Sequence, residues 1–79
     1  MTNPGSVLKE LLEYSVEEDL NYIRFISLEN KTIQRIREEH QKELETVELC
    51  REILFDNAKL MNFLKERIEN DRRRIKEIG

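Results

Sequence analysis

A row of residues spaced seven apart runs through most of the chain. Its members are Ile26, Ile33, His40, Val47, Leu54, Met61, Ile68 and Ile75. Seven residues make about two turns of α-helix, so these side chains lie along one helical face. Because an apolar row of that length must be covered by other protein surface, it predicts a helical association protein.

Helix-breaking residues occur only at the two ends of the chain. Between Gly5 and Gly79 there are 73 residues without glycine or proline, so nearly all of that stretch can be helix. Residues 1–6 contain both Pro4 and Gly5 and are predicted to be a disordered lead-in. Residues 7–78 are predicted to form a single helical association domain.

Ser15 is the strongest internal signal for a helix start, because Glu18 follows three residues later as in a capping box. We therefore expect a short N-terminal helix that ends near Ser15, and a continuous helix in which Ser15 bonds to its own backbone stays open as the alternative. After it, one long helix is expected from about Val16 to Lys76.

Two turn signals compete with a continuous long helix. One combines Asn30 with Thr32, and the other is the pair Asp56 and Asn57. The interval of seven persists across both places, which favours continuity. A hairpin stays open as an alternative, and so does a three-helix arrangement with segments Val7–Leu28, Ile33–Phe55 and Ala58–Ile78.

Chain length limits how stable a lone molecule can be. The chain has 79 residues, of which 38% are hydrophobic and 39% charged, and its single cysteine, Cys50, cannot form an internal disulfide. A chain this short seldom buries enough surface by itself, and oligomerisation is the usual remedy. The predicted fold class is therefore all-α: a long amphipathic helix in a coiled coil or an antiparallel helix-bundle oligomer.

The apolar surface is wider than a zipper seam. The column three residues after the main row is polar at every other position, so the stripe spans about three residues in seven, which suits a bundle. The C-terminal half also carries a second apolar face, made of Leu49, Ile53, Leu60 and Phe63. A helix that is apolar on two faces is expected to have two neighbours.

The charge pattern indicates how two copies would pair. Residues 9–19 carry a net charge of −4 and residues 65–76 a net charge of +3. An antiparallel homodimer with its twofold axis near His40 brings these segments together, although the helix dipole alone could also favour such a charge distribution. The predicted interface consists of Ile26, Ile33, His40, Val47, Leu54, Met61, Leu64 and Ile68.

Catalytic and metal chemistry have little support in the sequence. His40 is the only histidine, and it has no second histidine or cysteine nearby to complete a metal site. It is therefore interpreted as a satisfied or partly exposed packing residue, with a pH-sensitive interface as the alternative. Cys50 is interpreted as a core thiol. The chain lacks a glycine-rich phosphate loop and a nucleophile elbow. We predict no enzymatic activity and no cofactor.

Nucleic-acid and membrane partners are also disfavoured. The basic cluster from Arg72 to Lys76 is flanked by Glu66, Glu69, Asp71 and Glu77, and the net charge of the chain is −3. No apolar run approaches the length of a membrane span, and a single cysteine is typical of a reducing compartment. An intracellular, cytoplasmic location is expected.

The predicted function is a non-enzymatic protein–protein interaction module, such as a coiled-coil scaffold, adaptor or assembly subunit, acting through helix–helix oligomerisation. The alternative is a small helical regulator or inhibitor that binds a specific larger protein through its second apolar face or through the N-terminal apolar segment. A weaker alternative is a nucleic-acid accessory protein that uses the C-terminal basic cluster.

Overall fold

The architecture is a hairpin of two long helices. A computed structural model describes residues 4–79, in which α1 runs from Pro4 to Glu39 and α2 from Leu44 to Ile78. The two helices pack antiparallel along their length, and the molecule measures 63 × 16 × 13 Å. The predicted all-α class is confirmed.

A turn at residues 40–43 separates the helices, so the single long helix predicted from Val16 to Lys76 is wrong at this point. The His40 amide still donates to the Ile36 carbonyl at 3.0 Å, and the Glu43 amide then donates to the His40 carbonyl at 3.0 Å. In residues 4–79 only Gly79 has a positive φ. The reversal therefore needs no glycine, which is why the sequence shows no breaker there.

The side chain of Glu43 connects the two helix ends at the turn. Its Oε2 atom accepts a hydrogen bond from the Thr46 hydroxyl at 3.1 Å and lies 3.2 Å from Nδ1 of His40. A carboxylate at the start of α2 also interacts favourably with the positive end of the helix dipole. One exposed side chain thus links the first residue of the turn to the first helical turn of α2.

The other predicted helix boundaries also differ from the structure. Helix α1 continues through Ser15, so there is no separate short helix before it within the described residues. The predicted lead-in is helical from Pro4, while residues 1–3 lie outside the described residues. Both helices run unbroken through residues 28–33 and 55–58, which rules out the three-helix arrangement.

The core is a single seam between the two helices, in which successive members are alternately three and four residues apart. All seam residues are buried or half-buried, and this average spacing of 3.5 keeps them facing the opposite helix. The seam comprises Lys9, Leu12, Val16, Asp19, Ile23, Ile26, Asn30, Ile33 and Arg37 on α1, and Val47, Cys50, Leu54, Asn57, Met61, Leu64, Ile68, Asp71, Ile75 and Ile78 on α2.

The row of sevens contributes to this seam from both helices. Ile26 and Ile33 lie on α1, whereas Val47 and the later members lie on α2, so the row is covered mainly within one chain. The acidic segment 9–19 and the basic segment 65–76 are likewise side by side in one molecule, as the contact between Asp19 and Arg67 shows. The features that predicted antiparallel pairing of two chains are thus largely satisfied by two helices of one chain.

Candidate interaction surface

An ion pair between Asp19 and Arg67 joins the two helices near the middle of the hairpin. Asp19 is 3% exposed, and its carboxylate accepts hydrogen bonds from Nε of Arg67, at 2.7 Å, and from Nη2 of the same guanidinium. These hydrogen bonds raise the pKa of Arg67 above its usual value, with a smaller contribution from the charge of Asp71. The bidentate geometry sets which turn of α1 lies beside which turn of α2.

A second polar contact across the seam lies nearer the turn. The side-chain amide of Asn57 donates to the Asn30 carbonyl oxygen at 2.8 Å and to Oε1 of Glu29 at 3.1 Å. The Asn30 amide in turn lies 3.9 Å from the sulfur of Met61. Polar residues in an otherwise apolar seam favour one alignment, because any shift would leave them without partners. The hairpin therefore has a defined register.

That register places six apolar residues on one broad side of the hairpin. We call this surface the apolar face: it consists of Tyr22 and Phe25 on α1 and of Leu49, Ile53, Leu60 and Phe63 on α2. Tyr22, Leu60 and Phe63 line one shallow concavity, which establishes that the two helices contribute to the same side.

The remaining members of the apolar face follow from ring contacts and helical spacing. The ring of Phe25 lies next to that of Tyr22, with 6.4 Å between centroids. Ile53 precedes Leu60 by seven residues on α2. Leu49 precedes Phe63 by fourteen, so each pair shares one helical row. The apolar face therefore extends from the middle of the hairpin toward the turn, with the exposed Asp56 interrupting the row of Leu49 and Phe63.

The aromatic rings of the apolar face are largely uncovered. Tyr22, Phe25 and Phe63 are 52%, 61% and 57% exposed, and Leu49 is 58% exposed. With ~150–250 Å² for each aromatic side chain, the three rings alone leave roughly 350 Å² accessible. Apolar patches of a few hundred Å² on small proteins are often functional, so this surface is the candidate interaction surface.

The opposite side of the hairpin is charged. There Lys65, Glu69 and Arg72 surround Leu20 and the edge of the seam. Phe55 also lies on that side, since it precedes Glu69 by fourteen residues on α2, and the ammonium group of Lys59 lies 4.4 Å from the centre of its ring. The two broad sides therefore differ in chemistry.

The predicted interface residues divide between two places. Seven of them, Ile26, Ile33, Val47, Leu54, Met61, Leu64 and Ile68, lie in the seam, whereas His40 lies exposed in the turn. His40 therefore does not pack between the two helices of one chain, and no cluster of metal-ligating side chains occurs in residues 4–79. The predicted second face, by contrast, is brought together on one side: Leu49, Leu60 and Phe63 are exposed and Ile53 is half-buried.

The C-terminal basic cluster does not form an isolated positive surface. Arg72, Arg73 and Arg74 are consecutive, so they point in directions about 100° apart around α2. The acid-rich start of α1 runs beside them, since Asp19 binds Arg67 at the adjoining level. The basic cluster therefore lies beside acidic residues of α1 and does not stand alone.

Several residues that organise the surface were not singled out from the sequence. Asp19 extends the row of sevens by one step before Ile26, Asp71 belongs to the column three residues after that row, and Asn57 is predicted only as part of a turn signal. Tyr22 and Phe25 belong to the apolar stretch from Val7 to Leu28, whose residues spread around much of the helix and so indicate no single face. Their pairing with α2 could have been inferred only by placing a turn near residue 40.

Comparison with known proteins identifies no relative: no family model, no curated protein and no solved structure matches the chain. Within residues 4–79, neither helix has a stretch both long and apolar enough to cross a membrane.

Proposed function

We propose that this chain is a non-enzymatic protein–protein interaction module that acts by docking its apolar face onto helices of another protein chain. The observation that carries the proposal is the exposure of Tyr22, Phe25 and Phe63 together on one side of a hairpin whose register is fixed by buried polar contacts. Aromatic residues are enriched in the centres of protein interfaces because each buries a large area with little loss of side-chain freedom.

The hairpin is suited to present such a surface. Its seam is only one layer deep, and the apolar face lies on two helices held side by side, so a partner helix can lie in the shallow groove between them. The association is thus of the coiled-coil or helix-bundle kind. A scaffold, adaptor or assembly subunit needs this geometry and no catalytic group. The intracellular setting expected from the lone cysteine fits the free, buried thiol of Cys50.

The experiment is site-specific photocrosslinking in cells that express the chain. A photoreactive phenylalanine analogue is placed at Phe63, on the apolar face, and in a separate variant at Phe55, which is equally exposed at 60% but lies on the charged side of the same helix. The proposal expects a discrete protein adduct from position 63 and little from position 55, with the captured chain identified by mass spectrometry.

The outcome at the two positions decides the proposal. Equal adducts from positions 63 and 55 would show that contact is unspecific, and no adduct from position 63 would contradict docking through the apolar face. An adduct to a different, larger protein would support the regulator class within this proposal, and an adduct to a second copy would support the self-assembling class.

A further inference from the structure

We infer that the occupant of the apolar face is a second copy of this chain, stacked face to face about a twofold axis parallel to the long axis of the hairpin, with both turns at the same end. This inference rests on the proposed function, because it names the partner of the same surface. The arrangement is a four-helix bundle in which α1 of each copy lies against α2 of the other.

One hairpin has enough accessible surface to form an interface with an additional partner. Its accessible surface is 6495 Å², whereas a compact monomer of 9.6 kDa is expected to expose about 5,100 Å². A standard stable interface removes about 800 Å² from each partner. The excess area of the hairpin is therefore large enough to supply one such interface on each copy.

Glu18 and Arg67 lie at the end of the apolar face that is farther from the turn, and their opposite charges can pair between two copies. Glu18 is an exposed acid on α1, next to Asp19, and Arg67 is a half-exposed base on α2 at the same level, because Asp19 binds it. A twofold axis parallel to the long axis leaves each residue at the same height along the hairpin. It also places α1 opposite the α2 helix of the other copy. Glu18 then faces the partner's Arg67, and the reverse contact forms by symmetry.

The apolar residues match in the same arrangement. Tyr22 and Phe63 line one concavity and are therefore level with each other, so Tyr22 meets the partner's Phe63. Phe25 and Leu60 each lie about one helical turn nearer the hairpin turn, so they meet as well. The helices have 36 and 35 residues, so neither overhangs the other. A twofold axis perpendicular to the long axis would instead set α1 against α1 and would bring Glu18 to a different level from Arg67.

The first test measures association and the role of the charge pair. Sedimentation of the purified full chain over a micromolar concentration series should give a dimer. Glu18→Arg should raise the dissociation constant about tenfold, because it places like charges opposite each other at two symmetric points. Glu17→Arg makes the same charge change on the other side of α1 and should leave the dissociation constant within about twofold.

The second test measures the orientation of the two copies. A nitroxide label at Gln41→Cys, in the exposed turn, reports the distance between the two turns by pulsed electron resonance. In the inferred dimer both turns lie at the same end, so the distance should reflect the 16 × 13 Å cross-section plus the length of the label side chains. In a dimer with the turns at opposite ends, the distance should approach the 63 Å length of the hairpin. The label is attached in a Cys50→Ala background, and in a second variant that keeps the buried Cys50, in case the substitution disturbs folding.

The outcomes distinguish this inference from the proposed function. A monomer throughout the series, a long distance between turns, or an equal effect of Glu17→Arg and Glu18→Arg would overturn the inference. If the chain is monomeric alone but position 63 crosslinks to a different protein, the proposed function stands and only the identity of the occupant is wrong. If position 63 gives no adduct while the purified chain dimerises inversely, both fail.

Discussion

The carboxylate of Asp19 is held by two nitrogens of the Arg67 guanidinium, and the two partners differ sharply in exposure: 4% of the Asp19 side chain is accessible, against 47% of the Arg67 side chain. The Asp19 carboxylate is shielded from water and relies on the hydrogen bonds from Arg67, whereas the Arg67 guanidinium also contacts solvent. Removal of one side chain of the pair should therefore cost a different amount of stability from removal of the other.

Loss of Arg67 should destabilise the hairpin more than loss of Asp19. Arg67→Met leaves a buried carboxylate without a cation and should lower the free energy of unfolding by roughly 2–3 kcal/mol. Asp19→Leu leaves a guanidinium that can turn to water, so we expect a cost of about 1 kcal/mol or less. Urea unfolding followed by circular dichroism measures both, and the reverse order would contradict the asymmetry.

The contact between Asn57 and Asn30 should show strong coupling. Asn57→Leu alone leaves the half-buried Asn30 carbonyl without its donor and should cost about 1–3 kcal/mol. The double variant Asn30→Leu, Asn57→Leu removes both polar groups, so its stability should equal or exceed that of the wild type. A double-mutant cycle in urea measures the coupling, and simple additivity of the two substitutions would refute it.

The turn should be weakly stabilised by the side chain of Glu43. Glu43→Ala removes the contacts with His40 and Thr46 and should lower the free energy of unfolding by about 0.5–1 kcal/mol, a small value because all three groups are near solvent. Glu43→Gln keeps an oxygen that can accept the Thr46 hydroxyl and should recover part of this loss. Thermal unfolding of the three proteins makes the comparison, and identical midpoints would exclude the proposed role.

The thiol of Cys50 should react only when the hairpin opens. It is 4% exposed in the seam, so a bulky disulfide reagent cannot reach it in the native state. Leu64→Ala, which truncates another buried seam residue, should cost about 2–5 kcal/mol and raise the labelling rate at least about 30-fold. Rapid labelling of the native wild-type protein would show that the seam is not closed around Cys50.

Two aspartate substitutions should separate folding from association. Leu54→Asp places a charge in the seam and should abolish the hairpin itself, since an unpaired buried carboxylate costs several kcal/mol. Phe63→Asp lies on the exposed apolar face and should preserve helicity while it abolishes association. Circular dichroism and sedimentation of both variants provide the test. If Leu54→Asp loses association but keeps full helicity, the row of sevens would be an interface between chains and not the seam of one hairpin.

The seven-residue spacing of the seam residues continues across the turn, so it gives no indication of where the turn lies. Ile33 and Val47 are separated by two intervals of seven, and this spacing fits a continuous helix. It also fits two antiparallel helices that each keep seven-residue intervals on either side of a four-residue turn. The better signal was composition, because Arg35 to Glu45 is charged almost throughout and contains few residues that a buried helix segment would need.

Asn30 and Asn57 illustrate a different limit of sequence reasoning. Both residues are common at helix ends, so their local chemistry indicated possible turns. In the structure they lie within helices and bond to each other across the seam. An amide that finds a partner on a neighbouring helix no longer needs a cap or turn, and that partner is 27 residues away in the chain.

The sequence by itself determined that the protein is all-α, which residues form its apolar rows, and that Leu49, Ile53, Leu60 and Phe63 make a second face, because helical spacing is a local property of the chain. Only the tertiary structure decided that the main row is covered mainly within one molecule and that Tyr22 and Phe25 join the second face. The reason is that the same seam can close within one chain or between two. Closure through a four-residue turn loses little loop entropy, whereas recruiting a second chain for the same contacts loses its translational and rotational freedom.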